Sequence, residues 1–174
     1  MATATVILPI GAATLPDDST GNKAAALQRK KSSAAAPSPH WFEALFDDTT
    51  EEAILFSFVV PTNYASSPVL KLFYKMASAT SGTVEFEARV MCVSDGDAQD
   101  VDADAFDTAN SGSATVPATA GYIDEISITL TNADGMAAGD FCVIELRRDA
   151  DDATNDTATG DAEVVGARFE YTTT

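Results

Sequence analysis

The most concentrated chemistry in this chain is carried by carboxylates. Between two apolar segments lies Arg147-Arg148-Asp149-Ala150-Asp151-Asp152-Ala153-Thr154-Asn155-Asp156-Thr157-Ala158-Thr159-Gly160-Asp161. Hard cations such as calcium take oxygen ligands from Asp side chains and loop carbonyls, so Asp149, Asp151, Asp156 and Asp161 are the calcium candidates. They would make the chain a calcium-dependent adhesion domain. The same residues support a plainer account, in which Arg148 pairs with Asp149, Asp156 or Asp161 and staples a solvated loop. A second run, Asp95-Gly96-Asp97 to Asp104, repeats carboxylates closely, but Phe106 stands where a calcium-binding helix-loop-helix needs its twelfth-position Glu. It is not that motif.

Catalysis has little to work with. The one histidine, His40, follows a Pro-rich stretch, and no Gly-x-Ser-x-Gly elbow is present to make it the base of a nucleophilic serine. It reads as a solvent-edge residue beside Trp41, which would anchor the first strand in the core. The phosphate loop, Cys-x-x-Cys and His-Glu-x-x-His motifs are all missing. Carboxylates are too abundant to single out a glycosidase pair. The chain is expected to be no enzyme and to carry no catalytic residues and no cofactor, calcium apart. A glycan-binding receptor module is a further alternative, with Tyr64, Phe73, Tyr74 and Tyr122 as the aromatics that could stack on sugar, although most fall within strand patterns and suit a core.

These residues need a scaffold, and the pattern of the chain describes one. From Trp41 onward the apolar period is two, the mark of strands with one buried face. In Thr83 to Cys92, for example, Val84, Phe86, Ala88, Val90 and Cys92 alternate with Glu85, Glu87, Arg89 and Met91. Strands are likewise expected at 41–46, 54–60, 69–76, 122–130, 141–146 and 164–171, with a weaker one around Val101 to Phe106. Turn formers such as Pro61-Thr62-Asn63, Ser81-Gly82 and Asp134-Gly135 separate them. Seven or eight strands without helical period predict an all-β, antiparallel, jelly-roll-like sandwich. Cys92 and Cys142 each sit in an alternating run and are expected as reduced core thiols, with a disulfide as the alternative should their strands be neighbours.

Ahead of this domain, residues 1–39 read as an extended N-terminal arm and Ala/Pro-rich linker, with the sandwich at 40–174. Thr3 to Ile10 is a short β-prone run, Lys23 to Lys31 has helical propensity, and Ser32 to Pro39 has a linker's composition. Charge divides the same way. The chain carries −17 overall, yet Lys23, Arg29, Lys30 and Lys31 outweigh Asp17 and Asp18 in the first forty residues. So acidic a body repels phosphate backbones and anionic headgroups, which argues against nucleic acid and membrane partners. No run approaches the length of a membrane-spanning helix, and the first residues lack the basic start of a secretory signal. If the arm docks on a partner, Val6, Ile7, Leu8 and Ile10 are its apolar anchors, adding a strand to an exposed sheet edge, while Lys23, Arg29, Lys30 and Lys31 steer it. Deleting the arm would then leave the sandwich folded and unable to assemble.

The succession Val60-Pro61-Thr62-Asn63-Tyr64, Leu70-Lys71-Leu72-Phe73-Tyr74, Ser81-Gly82-Thr83-Val84, Ala138-Gly139-Asp140, Leu146-Arg147-Arg148-Asp149 and Val165-Gly166-Ala167-Arg168-Phe169-Glu170-Tyr171 resembles small β-sandwich structural proteins of tailed-phage virions. The resemblance covers residues 41–171 and consists of strand and turn patterns. It implies a non-enzymatic capsid decoration, head-fibre or appendage component, located on the virion and assembled in the host cytoplasm. Its partners would be a capsid or tail protein and further copies of itself, with a trimer favoured.

Overall fold

A computed structural model describes residues 2–174 of the chain. The ten strands are β1 (Thr3–Leu8), β2 (Ala26–Lys31), β3 (His40–Phe46), β4 (Ala53–Val59), β5 (Tyr64–Met76), β6 (Thr83–Val93), β7 (Asn110–Thr115), β8 (Asp124–Thr129), β9 (Phe141–Arg148) and β10 (Ala162–Thr173). One sheet runs β2-β3-β10-β5-β8 with β1 also paired to β10, and the other runs β4-β9-β6-β7. Every pairing between named strands is antiparallel. The result is a jelly-roll sandwich.

Alternation assigns each strand's two faces. On β5, Leu70, Leu72, Tyr74 and Met76 are buried against the other sheet, so Val69, Lys71, Phe73 and Lys75 point outward. On β6, Val84, Phe86, Ala88 and Val90 face in. The layers interlock through aromatic contacts: Phe46 meets Phe86 edge-on at 5.2 Å between ring centroids, and Phe169 touches Phe58 at 5.1 Å. Such pairs add directional preference to the area they bury.

The first 39 residues are not a separate arm. β1 lies along β10 from Thr3↔Thr172 to Leu8↔Ala167, on the edge whose other end is taken by β3 at Ala162 to Val164. Two strands thus share one edge of the longer β10. The connection from β1 to β2 crosses the open side of β4, where Thr14 exchanges backbone hydrogen bonds with Leu55, and Ala53 bonds to Lys23 and Ala25. Residues 26–31, expected to be helical, form an edge strand on β3 instead. Their long side chains suit a helix in isolation, but pairing gives six residues a cross-strand partner, and basic residues on an edge strand discourage further sheet growth.

Two other expectations change. Cys92 and Cys142 are disulfide-bonded, because β6 and β9 are neighbours and the two residues stand directly opposite each other, with Cα atoms 4.2 Å apart. Closing a loop with a sequence separation of 50 removes about 4 kcal/mol of unfolded-state freedom in the chain-entropy account. The extra strand is β7 at Asn110–Thr115, and residues 101–106 are turn and coil. Gly112 explains the choice: a Cβ there would meet the Ser127 carbonyl oxygen at 2.8 Å, so the bare backbone lets β7 pass close to β8 at the margin between the sheets.

Candidate functional site

The acidic loop between β9 and β10 is divided among three tasks. Arg148, at the inner end of β9, is 0% exposed. Its Nε and Nη2 donate to both carboxylate oxygens of Asp156 at 2.8 Å each, and its remaining N–H groups donate to the carbonyls of Phe46, Ala158 and Gly160. All five guanidinium donors are thereby satisfied. The staple expected of Arg148 is present, and it removes Asp156 from the calcium candidates. Asp161 lies elsewhere, grouped with Asp47 and Asp48. There Asp48 accepts from the Gly160 N–H, while Asp47 caps its own turn through Thr49 and Thr50.

Asp149 and Asp151 are the two candidates that do come together, in company with Glu51; Asp149 also groups with Glu85 and Asp152. Burial, then the nearby charges of Asp151, Glu87 and Glu85, pushes the Asp149 carboxyl up to about 7. Glu85 is raised as well, mainly by burial, with Asp152 adding repulsion and Ser111 and Asn155 offsetting part of it.

The anchors proposed for the arm are spent within the chain. Leu8 and Ile10 are buried in the core and Val6 packs against it, whereas Ile7 is 67% exposed. Strand addition to a partner by residues 3–8 has no free strand to use, since β1 already pairs with β10. The basic residues are dispersed too: Lys23 donates to the Asp18 carbonyl and Arg29 sits on β2, while Lys30 and Lys31 turn toward a cleft on the outer face of the first sheet.

That cleft is bounded by the β2–β3 connection on one side and the loop before β8 on the other. It has a volume of about 800 Å³, within the range of small-ligand sites. Register builds its floor. Pairing of Lys30 with Trp41 and of Gln28 with Glu43 puts these four side chains on one face, and Lys75 opposite Glu163 continues that face across β10 and β5. Ser32 and Ser33, from the β2–β3 connection, form one wall. Ala120, Gly121 and Ile123 form the other, and a Gly121 N–H bond to the Met76 carbonyl ties that loop to the end of β5. Ile123 and its neighbour Tyr122 are largely exposed.

The floor is a closed charge network. Glu43, fully buried, accepts from Gln28 Nε2 at 2.7 Å and Trp41 Nε1 at 3.0 Å. It also pairs with Lys75 at 3.2 Å and Lys30 at 3.4 Å. Glu163 pairs with the same two lysines. Burial alone would raise the Glu43 carboxyl, but the donors from Trp41, Lys75 and Gln28 outweigh it and hold the group below the ordinary glutamate value. Lys30 and Lys75 are balanced by Glu43 and Glu163, and Lys31, which also lines the cleft, adds one positive charge. Further along the same face, Arg168 stacks over Phe73 at 4.7 Å and bonds to Glu125 and Glu170.

Trp41 is therefore not the core anchor expected of it. It shares a face with Glu43 rather than with Ala44 and Phe46, and the alternation Trp41-Phe42-Glu43-Ala44 already carried that signal. His40 is solvent-exposed, as expected, with Nδ1 near the Ser38 carbonyl. Of the four aromatics considered for sugar, Tyr74 is core and Tyr64 packs against it; Phe73 is outward, and Tyr122 is 66% exposed beside the cleft wall.

No protein family matches the sequence, and no curated protein does. Solved structures do resemble the fold. The CBM35 from Cellvibrio japonicus Abf62 aligns with a TM-score of 0.52 at 8% identity, covering 98% of this chain and 95% of that one. The CBM22-1 xylan-binding domain from Paenibacillus barcinonensis Xyn10C aligns at 0.48 and 11% identity over 100% and 99% of the two chains. The family 11 carbohydrate-binding module of Clostridium thermocellum Lic26A-Cel5E aligns at 0.48 and 11% over 97% and 95%. The first of these shows a shared sandwich fold.

Proposed function

We propose that this domain is a non-catalytic module that binds a neutral saccharide in the cleft over Trp41. The observation that carries the proposal is the combination, on one floor, of a single indole with an ion-paired array of fixed ammonium and carboxylate groups. Sugar rings offer apolar C–H faces that lie against an aromatic surface, and hydroxyls that both donate and accept hydrogen bonds. Trp41 supplies the surface; Lys30, Lys75 and Glu163 supply partners already held in place, so little ordering remains to oppose binding. Because Lys30 and Lys75 are each already paired with Glu43 and Glu163, they meet a ligand as hydrogen-bond donors held in place rather than as free charges, which suits sugar hydroxyls. The fold shared with a carbohydrate-binding module supports the same choice, although a fold by itself hosts many functions.

Hydrolysis does not follow from the two carboxylates. A glycosidase needs one carboxyl kept protonated near neutral pH, and Glu43 is shifted the other way. Glu163 is ion-paired with Lys30 and Lys75.

Electrophoresis through native gels containing xylan, mixed-linkage β-glucan or β-galactan tests the proposal. At least one polysaccharide is expected to retard the wild-type chain and to leave Trp41→Ala at its polymer-free mobility. Equal mobility of both proteins in every neutral polysaccharide tried, with retardation only in anionic ones, would overturn it.

A further inference from the structure

On the opposite side of the sandwich, the second sheet buries a carboxylate that nothing neutralises. Glu85 lies on the outward-facing row of β6 with Glu87, Arg89 and Met91, yet it is only 6% exposed. Its Oε2 has no hydrogen-bond partner. Asp149 continues β9 opposite it and donates its backbone N–H to the Glu85 carbonyl at 3.1 Å. Ligand oxygens of Glu85, Asp149 and Asp152 lie within 4.8 Å of one another. Asp149 in turn belongs to a second group with Glu51 and Asp151.

Neighbouring cations are committed elsewhere. Arg147 pairs with Glu51 and Glu145, Arg89 with Glu87 and Glu145, and Arg148 with Asp156. Among the described residues, no Lys or Arg makes an ion pair with Glu85, Asp149 or Asp152. A buried, unpartnered carboxylate facing two more carboxylates costs free energy unless a positive charge joins them.

We infer that Glu85, Asp149 and Asp152 form a binding site for one calcium ion. The donors are all hard oxygens, which suits calcium and disfavours metals that prefer nitrogen or sulfur. Calcium tolerates irregular geometry and several coordinated waters, as an arrangement of one strand residue and two loop residues requires. The loop supports this use. Asp152 fixes its own turn, accepting from the Thr154 and Asn155 N–H groups at 2.8 and 3.1 Å, while the Arg148–Asp156 pair anchors the far end. Three of the sequence's calcium candidates, Asp151, Asp156 and Asp161, have no part in this site. Asp149 does, and its decisive partner comes from β6. The inference is independent of the saccharide cleft.

The test is calorimetric titration of the full, metal-stripped chain with calcium chloride, paired with thermal melts in calcium and in EDTA. One ion per chain is expected to bind, with a rise in Tm that EDTA reverses. Glu85→Gln and Asp152→Asn should each weaken calcium binding at least about tenfold. Glu85→Gln should also melt higher than wild type in EDTA, because it removes an unpaired buried charge. Asp161→Asn, outside the cluster, should bind as wild type does. No heat and no Tm change at millimolar calcium would overturn the inference. So would a response that survives Glu85→Gln and Asp152→Asn, or one that disappears only in Asp161→Asn.

Discussion

Arg148 does two things at once: it neutralises a buried aspartate and it supplies donors to three loop carbonyls. Truncating it would strand Asp156 without a cation and leave the Phe46, Ala158 and Gly160 carbonyls short of a donor, and breaking a buried pair by removing one partner costs about 3–5 kcal/mol. Arg148→Ala is therefore expected to lower unfolding free energy by about that amount in urea titrations. Lys at this position should rescue little, since one ammonium cannot reproduce the planar fork. Glu43 makes a pH-dependent contribution instead. Its carboxyl is held below its unfolded value, so the stability it lends is complete above about 4.3 and is lost as pH falls through the folded value. Glu43→Gln should melt below wild type at pH 7, and the gap should close on acidification toward pH 3. A gap that widens would mean the carboxyl is raised. At this scale the sequence was partly legible. The Arg148 staple could be named from charge proximity in one loop, but the choice among Asp149, Asp156 and Asp161 depends on which carboxylate reaches inside the sandwich. Trp41 was assigned to the core as the anchor of the first strand, although its alternation with Phe42 and Ala44 pointed outward. Glu85 could not be singled out, because its burial comes from β9 and the loop beyond it.

Strands were legible wherever one face is apolar and the other polar. β6 shows this most clearly, and β3, β4, β5, β8, β9 and β10 follow from the same alternation. β2 was not legible, since Ala26 to Lys31 reads as helix until β3 offers it an edge. β7, with only Asn, Ser, Gly, Ala and Thr, has almost no apolar signal and exists because β6 pairs with it from Thr83 to Ala88. The first strand was visible as a strand, but its partner was not: nothing local in Thr3 to Leu8 says whether it pairs within the chain or with another molecule. The structure makes the answer testable. A chain beginning at His40 would lose β1, β2 and the segment that covers β4, with buried Leu8, Ile10 and Ala25, and would expose the edges of β10 and β3. Such a truncation is expected to lose its cooperative thermal transition or to aggregate. A His40–Thr174 chain that melts at the wild-type temperature would restore the idea of a detachable arm.

Across the whole molecule, the two sheets divide the labour. The first offers an aromatic-floored cleft whose two central lysines are ion-paired, and the second gathers carboxylates on its outward side. Between them, the core fixes the distance at which both faces are held, and the Cys92–Cys142 bridge ties β6 to β9 within the second sheet. The net charge of −17 keeps copies of the chain apart in solution, while Lys30 and Lys75 are paired with Glu43 and Glu163 across the cleft floor. Composition revealed the first property, but the second required knowing which residues share a face. The chain has one tryptophan, and it lies in the cleft, so its fluorescence reports on that site alone when excited where tyrosine does not absorb. The most direct measurement is a fluorescence titration with neutral oligosaccharides derived from the retarding polysaccharide. A saturable change in Trp41 emission, lost when Lys75 and Glu163 are both replaced by Ala, is the result this account predicts. Saccharide binding detected calorimetrically with Trp41 emission unchanged would contradict it, as would no binding to any neutral glycan.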